Sequence, residues 1–348
     1  MPTVVITGAS GALGRRIVSR LASTGGWTVV AVDHLPFPSG VAKPRHFTAH
    51  RVDLLSAPLD RLLVGADAVV HLATGGAGSG ATNSSDLRLL ERTLAAATSN
   101  TVAQVVLLSS AVVYGAWSDN PVPLVESAPL RPNPDFVYAQ QKVAAESFAR
   151  QWSEAAPGRI LAVLRPATTL GHPEARAWLA QSVRPSMLDR ITATLPATQF
   201  VHVDDLADAI VHVLDRRLDG AFNVASSDWL PSEAAHALFG PPFTVPVPDF
   251  AEGLLRRLTE RLDSRRPAGA AAYARAPFVV AADRLIGTGW SPKSSSAEAF
   301  VAAKSPSRLG RVYARRRQEM NLLAVTAGSL SLTGSVLSLL RWWRRRVR

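Results

Sequence analysis

MPTVVITGASGALGRR, residues 1–16, decides the fold because it joins an apolar run to a helix through a glycine-rich turn. Residues 3–6 are all β-branched, as in a central parallel strand that is buried on both faces. Apolar side chains then recur with helical spacing from Leu13 to Leu21. The stretch therefore predicts a strand, a tight turn and a helix in direct succession.

Three glycines in that turn indicate a ligand-binding site. Gly8 would allow the tight bend, Gly11 would let a pyrophosphate approach the backbone, and Gly14 would let the helix pack closely on the strand. The helix N-terminus would also present unpaired N–H groups to an anion. We interpret the turn as a dinucleotide-phosphate cradle, with a βα turn that binds nothing as the alternative.

A second apolar run, residues 29–32, ends in an acidic side chain, Asp33. This residue follows the glycine turn by about twenty positions, the spacing at which a carboxylate accepts hydrogen bonds from an adenosine ribose. Its charge would repel a 2′-phosphate, which favours NAD over NADP. The alternative is a solvated aspartate at the end of a strand.

The 348 residues are 47% hydrophobic and include no cysteine. This length and apolar content predict one large domain or two interleaved domains with a substantial core. The lack of cysteine excludes disulfides and thiolate chemistry and is typical of a reducing compartment. Because the first residues read as a strand rather than as a basic and apolar leader, we expect no secretory signal and a cytoplasmic location.

The net charge of +11 is concentrated at one end of the chain. Residues 304–348 hold eleven Lys or Arg and a single acid, Glu319, whereas residues 1–303 hold 27 basic and 26 acidic residues. A nearly neutral body gives no reason to expect nucleic-acid binding. The basic charge must therefore be explained by the tail.

Residues 102–108 predict another central strand, which places Ser110 at a carboxyl strand end, where ligands of open α/β sheets bind. A helix predicted to begin near Asp135 carries Tyr138 and Lys142 four residues apart on one face. A phenol with the ordinary pKa of about 10 acts as a base near neutral pH only beside positive charge, which Lys142 and an oxidised nicotinamide would supply. Ser110 would orient the reacting oxygen. For the Tyr-Lys pair alone, an ordinary helix face is the alternative.

Across residues 1–303 the chain resembles the extended short-chain dehydrogenases/reductases of the nucleotide-sugar epimerase/dehydratase type, similar to the UDP-glucose 4-epimerases. The matching stretches are TGASGALG at 7–14, Asp33, HLA at 71–73, SSAVVYG at 109–115, YAQQK at 138–142, Arg165-Pro166, FVHVDDLADAI at 200–210, Phe222-Asn223-Val224 and GWSPKSSSAEAF at 289–300. The resemblance implies an NAD-dependent enzyme without a metal, whose catalytic triad is Ser110, Tyr138 and Lys142. It also implies a cofactor site made of Thr7, Gly8, Gly11, Leu13, Gly14, Asp33, Asp53, Leu54, Leu72, Ala73, Tyr138 and Lys142.

Two departures from the family pattern bear on the reaction. The 4,6-dehydratases carry an acid pair directly after the catalytic serine, where this chain has Ala111 and Val112, so we set dehydration aside. Sugar-nucleotide epimerases bind the diphosphate with an Asn and an Arg where this chain has Thr168 and Thr198-Gln199, which weakens the UDP-sugar interpretation. Phosphate could be bound from other positions by Arg176, Arg184 or Arg190.

We expect a Rossmann-type α/β fold, a doubly wound parallel sheet with a smaller C-terminal substrate lobe and a hydrophobic tail helix. The predicted domains are an NAD-binding domain of residues 1–166 and 198–224, a substrate lobe of residues 167–197 and 225–303, and a tail of residues 304–348. Residues 160–164 and Phe200 to Val203 are expected to return strands to the sheet edge, with Asp204 as the N-cap of the next helix. We interpret His71 as a structural residue at a strand end rather than as a base.

Within the tail, Met320 to Leu340 carries no charge and lies between two arginine clusters. As a helix it would reach about 31 Å, close to the thickness of a bilayer core. A single pass would carry one arginine cluster across the membrane, so a shallow insertion or a re-entrant hairpin is an alternative, as is close helix packing in an oligomer. We predict membrane association through residues 320–343 and leave a homodimer open.

Three functions stay open at this point. A sugar epimerase would keep NAD tightly bound and re-reduce the ketone on its other face. A membrane-proximal dehydrogenase or reductase would exchange the ketone of a lipid, sterol-like or lipid-linked substrate with solution. An NAD-binding scaffold would need no chemistry, although the presence of Ser110, Tyr138 and Lys142 argues against it.

Overall fold

A parallel sheet of seven strands forms the core of residues 1–303, in a computed structural model that describes residues 1–74, 85–171, 196–239 and 269–303. The described residues form nine strands, of which β7 and β8 lie outside this sheet, namely β1 Thr3–Thr7, β2 Thr28–Asp33, β3 Phe47–Arg51, β4 Ala68–His71, β5 Gln104–Leu108, β6 Ile160–Pro166, β7 Thr168–Leu170, β8 Phe200–His202 and β9 Gly220–Val224. The helices are α1 Ala12–Thr24, α2 Leu59–Leu62, α3 Ser85–Ser99, α4 Val137–Glu154, α5 Val203–Asp215, α6 Ser232–Phe239, α7 Asp283–Ile286 and α8 Ser296–Ala303, with 3₁₀ turns at Ala111–Tyr114 and Ala270–Ala274.

All neighbouring strands of the main sheet run parallel, in the order β3-β2-β1-β4-β5-β6-β9. Strands β1 to β3 extend the sheet to one side, and β4 starts the extension to the other side. The order of the strands therefore reverses between β1 and β4, whose pairing ends at Thr7 opposite His71. Ligands of doubly wound sheets bind outside the carboxyl ends of the strands at such a reversal. The predicted Rossmann-type fold is therefore confirmed, and its switch point lies beside the glycine turn.

The alternation of side chains along β1 explains why the sheet is covered on both faces. Val4 and Ile6 point into a core that includes residues of α1 and α5, whereas Val5 points into a second core that includes residues of α3 and α4. All three side chains are fully buried. Consecutive apolar residues such as these three let one strand contribute to two cores at once, which is why the stretch reads as a central strand.

One predicted strand joins a different sheet. β8, which lies within the predicted stretch Phe200 to Val203, pairs with β7 in a separate two-stranded sheet, from Thr168 opposite Phe200 to Leu170 opposite His202. The edge position beside β6 is taken by β9 instead. Apolar character identified β8 as a strand, but it does not specify the strand with which it forms hydrogen bonds.

The cap of α5 also differs from the prediction. The side chain of His202, not Asp204, caps the helix, because His202 Nδ1 accepts a hydrogen bond from the Asp204 backbone N–H at 3.1 Å. The Asp204 carboxylate instead forms ion pairs with Arg16 at 3.0 Å and Arg20 at 3.3 Å on α1. An acidic residue near a helix start thus serves here to join two helices.

The chain divides into two units, residues 1–303 and residues 304–348. The predicted boundary between an NAD-binding domain and a substrate lobe within the first unit stays a prediction. In the part of the chain that the structure describes, no helix has the length and apolar character needed to cross a membrane. The predicted tail helix, residues 320–340, lies outside the described residues, as does the whole predicted membrane-associated stretch 320–343.

Candidate active site

The glycine turn after β1 is too tightly packed to accept side chains. Gly8 has a φ of +74°, and a Cβ there would come within 3.0 Å of the Ala73 backbone nitrogen. A Cβ on Gly14 would lie 2.5 Å from the Gly8 carbonyl oxygen and 2.6 Å from Ala9 Cα, which is closer than atoms can approach. Only glycine therefore lets α1 begin directly against the end of β1.

The ends of β1 and β4 are joined by the Thr7 side chain. Its Oγ1 lies 3.1 Å from His71 Nδ1 and accepts a hydrogen bond from the Ala73 N–H at 3.4 Å. The Leu72 N–H donates to the Thr7 carbonyl at 3.1 Å. Burial, together with the smaller effect of the positive charge of Lys142, lowers the pKa of His71 to about 3. A neutral, buried imidazole bonded to Thr7 agrees with the structural role predicted for His71.

His71 makes the stability of the protein sensitive to mild acid. The pKa of His71 in the folded protein lies below the ordinary 6.5 of the unfolded chain. Below pH 6.5 the unfolded chain therefore binds a proton at this residue that the folded chain does not bind. The free energy of unfolding falls accordingly as the pH drops below 6.5. One such proton contributes a slope of at most about 1.4 kcal/mol per pH unit. Urea unfolding of His71→Gln between pH 7.5 and 5.5 is expected to lack this slope. The exposed His46 serves as the control, since His46→Gln should keep it.

Asp33 lies at the end of β2 and faces the glycine turn. Its Oδ2 accepts a hydrogen bond from the Ser10 N–H at 2.9 Å, and its Oδ1 accepts one from the Leu35 N–H at 3.0 Å. His34 Nδ1 also lies 3.0 Å from Oδ1. The carboxylate is buried, and these donors hold it in one orientation at the edge of the sheet.

A cleft of about 420 Å³ opens between the glycine turn, the end of β2 and the end of β4. Most of the predicted cofactor residues line it, namely Gly8, Gly11, Asp33, Asp53, Leu54, Leu72 and Ala73. Residues not predicted from the sequence also line it, namely His34, Leu35, Val52, Leu55, Thr74 and Leu89. Five predicted cofactor residues are not among the lining residues, namely Thr7, Leu13, Gly14, Tyr138 and Lys142. Asp53 is exposed, and its Oδ1 accepts a hydrogen bond from the Leu55 N–H at 2.9 Å.

The residues of this cleft fit an adenine dinucleotide. Side chains at Gly8 and Gly14 would collide with backbone, so only glycine lets a pyrophosphate come close to the start of α1, where the first N–H groups of a helix have no intrahelical partner. Asp33 offers carboxylate oxygens to ribose hydroxyls within the same cleft. Leu54 and Leu72 supply apolar surface to the same cleft, as a purine ring requires.

Asp33 is expected to decide between NAD and NADP. In Asp33→Ser, loss of a charged acceptor should weaken NAD binding by about 10- to 100-fold, because a hydrogen bond to a charged group is worth about 1.5–3 kcal/mol. Removal of the negative charge should at the same time strengthen NADP binding. Both affinities can be measured by calorimetry on protein freed of cofactor. Asp60→Ser, an exposed acid on α2, should leave them unchanged.

The predicted catalytic residues come together at the carboxyl end of β5. Ser110 is buried and begins the 3₁₀ turn 111–114, where its Oγ accepts a hydrogen bond from the Val112 N–H at 3.4 Å. Helix α4 packs against this turn and carries Tyr138 and Lys142, both half-buried. Lys142 Nζ donates to the Leu108 carbonyl at 3.1 Å and lies 5.6 Å from the centre of the Tyr138 ring. A serine hydroxyl, a phenol and an ammonium group therefore share one strand end.

A buried polar network that the sequence did not reveal lies behind these residues. The Arg165 guanidinium forms a bidentate ion pair with Glu146, with Nη2 at 2.6 Å and Nε at 3.1 Å from the carboxylate oxygens. Burial disfavours the charged guanidinium, but the hydrogen bonds and charge of Glu146 outweigh burial and raise the pKa of Arg165 above its ordinary value. In the sequence, Arg165 stands out only as part of a matching stretch, and the four-residue spacing of Glu146 from Lys142 is equally typical of a solvent-exposed helix face.

The positions at which the family pattern is broken have internal partners. Thr168 is buried in β7, and Gln199 Oε1 accepts a hydrogen bond from the Val280 N–H at 2.9 Å while its Nε2 donates to the Ser226 carbonyl at 3.2 Å. Both polar ends of the Gln199 amide are thus engaged within the protein. The alternative phosphate ligands considered from the sequence lie outside the described residues, namely Arg176, Arg184 and Arg190.

The comparison with protein families gives a single match. The NAD dependent epimerase/dehydratase family matches residues 4–225, which is well over half of the chain. This range includes the glycine turn, Asp33, Ser110, Tyr138 and Lys142. None of the curated proteins matches the chain.

Solved structures of sugar-nucleotide epimerases share the fold. A UDP-galactose 4-epimerase is 22% identical, with a TM-score of 0.60 and coverage of 89% of this chain and 99% of its own. The UDP-N-acetylglucosamine 4-epimerase of Methanobrevibacter ruminantium, in complex with UDP-N-acetylmuramic acid, is 20% identical with a TM-score of 0.63, covering 87% of this chain and 96% of its own. The UDP-glucose 4-epimerase of Thermus thermophilus, in complex with NAD, is 20% identical with a TM-score of 0.62, covering 86% and 98%.

Proposed function

Since the chain belongs to the NAD-dependent epimerase/dehydratase family, we propose that it inverts a secondary alcohol carbon of a sugar nucleotide by removing and returning one hydride. The observation that carries this proposal is the position of Ser110, Tyr138 and Lys142 at the carboxyl end of β5, two strands from the glycine turn after β1. A scaffold protein would have no need of a phenol, an ammonium group and a serine hydroxyl at the ligand-binding edge of the sheet.

Each of the three side chains has a distinct task in the proposed reaction. Tyr138, as the phenolate, takes the proton of the substrate hydroxyl while the hydride leaves the same carbon, and later returns that proton to the oxygen. Ser110 donates a hydrogen bond to the reacting oxygen and holds it near Tyr138. Lys142, fixed by the Leu108 carbonyl, contributes positive charge beside the phenol. NAD, when bound, accepts the hydride and gives it back.

The local sequence favours inversion over dehydration. Ala111 and Val112 are buried apolar residues at the positions where the dehydratases carry their acid pair. Protonation of a leaving hydroxyl would therefore need an acid from elsewhere. If the ketone turns over in the site and is reduced on its opposite face, the product is the epimer and no net redox change occurs.

UDP-sugars are the first substrates to test, because the structural relatives named above are UDP-sugar epimerases. We expect the full chain, purified in detergent, to release NAD on denaturation, as measured by mass spectrometry. It should interconvert UDP-glucose and UDP-galactose, or the corresponding N-acetyl sugars, with no nicotinamide nucleotide added. Protein that contains no NAD and reacts only when the nucleotide is supplied would instead indicate a dehydrogenase or reductase.

A membrane-proximal dehydrogenase or reductase is the second candidate, and two hydrogen bonds of Gln199 favour it. Gln199 lies near the position at which the sugar-nucleotide epimerases carry an arginine that binds the diphosphate. Its amide forms hydrogen bonds with the backbone of Val280 and Ser226 and so is not free to bind phosphate. The arginine-flanked stretch 320–340 would bring such an enzyme to anionic lipid. The full chain should then sediment with vesicles that contain phosphatidylserine, and the chain without residues 304–348 should not. Failure of the full chain to sediment would remove this candidate.

A further inference from the structure

A fully buried ion pair lies behind the catalytic side chains and is not used by the proposed reaction. The side chains of Glu146 on α4 and Arg165 on β6 are 1% and 2% exposed. The Glu146 carboxylate accepts hydrogen bonds from Arg165 Nε and Nη2, and a further one from the Ser109 hydroxyl. A buried charge of this kind is stable only while all its partners stay in place.

Glu146 shares one helical stripe with the two catalytic residues of α4. It follows Lys142 by four positions and Tyr138 by eight, so the three side chains lie along one side of the helix within about 12 Å. Tyr138 and Lys142 are half-buried in the N-terminal part of the stripe, and Glu146 is buried at its other end. Any shift of Glu146 along or around the helix axis would therefore move the phenol.

The hydrogen-bond partners of Glu146 fix the segment that carries Ser110 at both of its ends. Ser109, which donates to Glu146, is the residue directly before Ser110. Arg165 Nη1 donates to the Tyr114 hydroxyl at 2.8 Å, and Tyr114 ends the 3₁₀ turn that Ser110 begins. The Tyr114 hydroxyl in turn donates to Asn223 Oδ1 at 2.7 Å on β9. One buried network thus joins the serine segment, the tyrosine helix and two strands.

We propose that Glu146 is a positioning residue that sets the Tyr138 hydroxyl relative to the Ser110 hydroxyl. It touches neither substrate nor cofactor and acts by fixing α4 to Ser109 and Arg165. This inference rests on the proposed hydride-transfer function, because the separation of the two hydroxyls matters only if both contact one reacting oxygen. A displacement on the order of 1 Å at such a site can lower the rate by about 100-fold.

The test compares kcat and KM in variants that leave the catalytic side chains intact. In Glu146→Gln the amide nitrogen cannot accept from Arg165 or Ser109, so kcat should fall by about 10- to 100-fold. The KM for the sugar nucleotide and the amount of bound NAD should stay within twofold of the wild-type values. Ser109→Ala removes a single donor and leaves the ion pair, and should lower kcat less. Ser109→Thr, which restores the hydroxyl, should recover it.

The stability control is Leu94→Ala, which opens a cavity in the buried core around α3. This variant should lose at least as much thermal stability as Glu146→Gln and should keep the wild-type kcat. The proposal is overturned if folded Glu146→Gln keeps its kcat, or if Leu94→Ala loses kcat to the same extent. Either result would mean that the ion pair serves stability alone.

Hydrogen exchange provides a readout that does not need turnover. The backbone amides of residues 137–142 should exchange faster in Glu146→Gln than in the wild type, while those of α1 should not change. If wild-type protein converts none of the sugar nucleotides, the proposed function fails but the exchange comparison still applies. Unchanged exchange over residues 137–142 would overturn the positioning role independently of the reaction.

Discussion

Tyr138→Phe is expected to lower kcat by about 10²- to 10⁴-fold, the usual contribution of a side chain that transfers the proton in the transition state. The phenol oxygen is the only atom removed, and Lys142 keeps its hydrogen bond to the Leu108 carbonyl at 3.1 Å. The ring itself still packs on Phe136, with their centres 5.8 Å apart. NAD content, thermal stability and the KM for the sugar nucleotide should therefore change little.

A buried tyrosine near the site, Tyr273, gives a matched control for the half-buried Tyr138. Tyr273 lies in the same aromatic cluster as Phe136, and its hydroxyl donates to the Val112 carbonyl at 2.7 Å, close to the Ser110 turn. Burial raises the pKa of Tyr273 above its ordinary value, which makes it unsuited to act as a base. Tyr273→Phe should cost about 1 kcal/mol of stability and reduce kcat by less than about threefold. Equal losses of kcat in the two variants would argue against a proton-transfer role for Tyr138.

Gly14→Ala is expected to have the largest effect on folding. The added Cβ would lie 2.5 Å from the Gly8 carbonyl oxygen and 2.6 Å from the carbonyl oxygen of Ala9. These contacts are with backbone, so no side chain can rotate away, and α1 must move off β1. Overpacking of this kind typically costs about 1–3 kcal/mol, and the displaced helix should also lose its affinity for NAD.

Gly40→Ala is the control for that substitution. Gly40 lies in the exposed loop between β2 and β3, and a Cβ there would meet no atom within 4 Å. Its free energy of unfolding should stay within about 0.5 kcal/mol of the wild type. Both variants can be compared by urea unfolding and by the NAD released per chain. A Gly14→Ala protein with wild-type stability and full NAD content would contradict the packing described for the turn.

The parts of the site that sequence could predict are those formed by neighbours in the chain. The glycine turn, Asp33 after β2 and the Tyr138-Lys142 pair on α4 each depend on local geometry, such as a strand that runs into a helix or a four-residue spacing on one helix face. Their positions at the carboxyl ends of parallel strands then follow from the fold. The cleft lined by Gly8, Asp33 and Leu72 agrees with that reasoning.

The parts that could not be predicted depend on contacts between distant segments. Arg165 and Glu146 are 19 residues apart, and only the packing of α4 on β6 turns two ordinary charged residues into a buried pair. Similarly, β8 and β9 are both short and apolar, and nothing local in either indicates which one hydrogen-bonds to β6. The position of Asp204 at the start of a helix predicts a cap. Its actual partner, Arg16, lies 188 residues away in the sequence, so no local pattern could indicate the ion pair.

The central claim is that one hydride leaves the substrate and returns to the same carbon. The most direct measurement is to incubate the NAD-loaded protein with a UDP-sugar that carries deuterium at the carbon to be inverted, in ordinary water, and to examine the product by NMR. Retention of the deuterium at the inverted carbon, with no free ketone in solution, is the predicted result. Loss of the label, or its appearance in released nicotinamide nucleotide, would contradict the account.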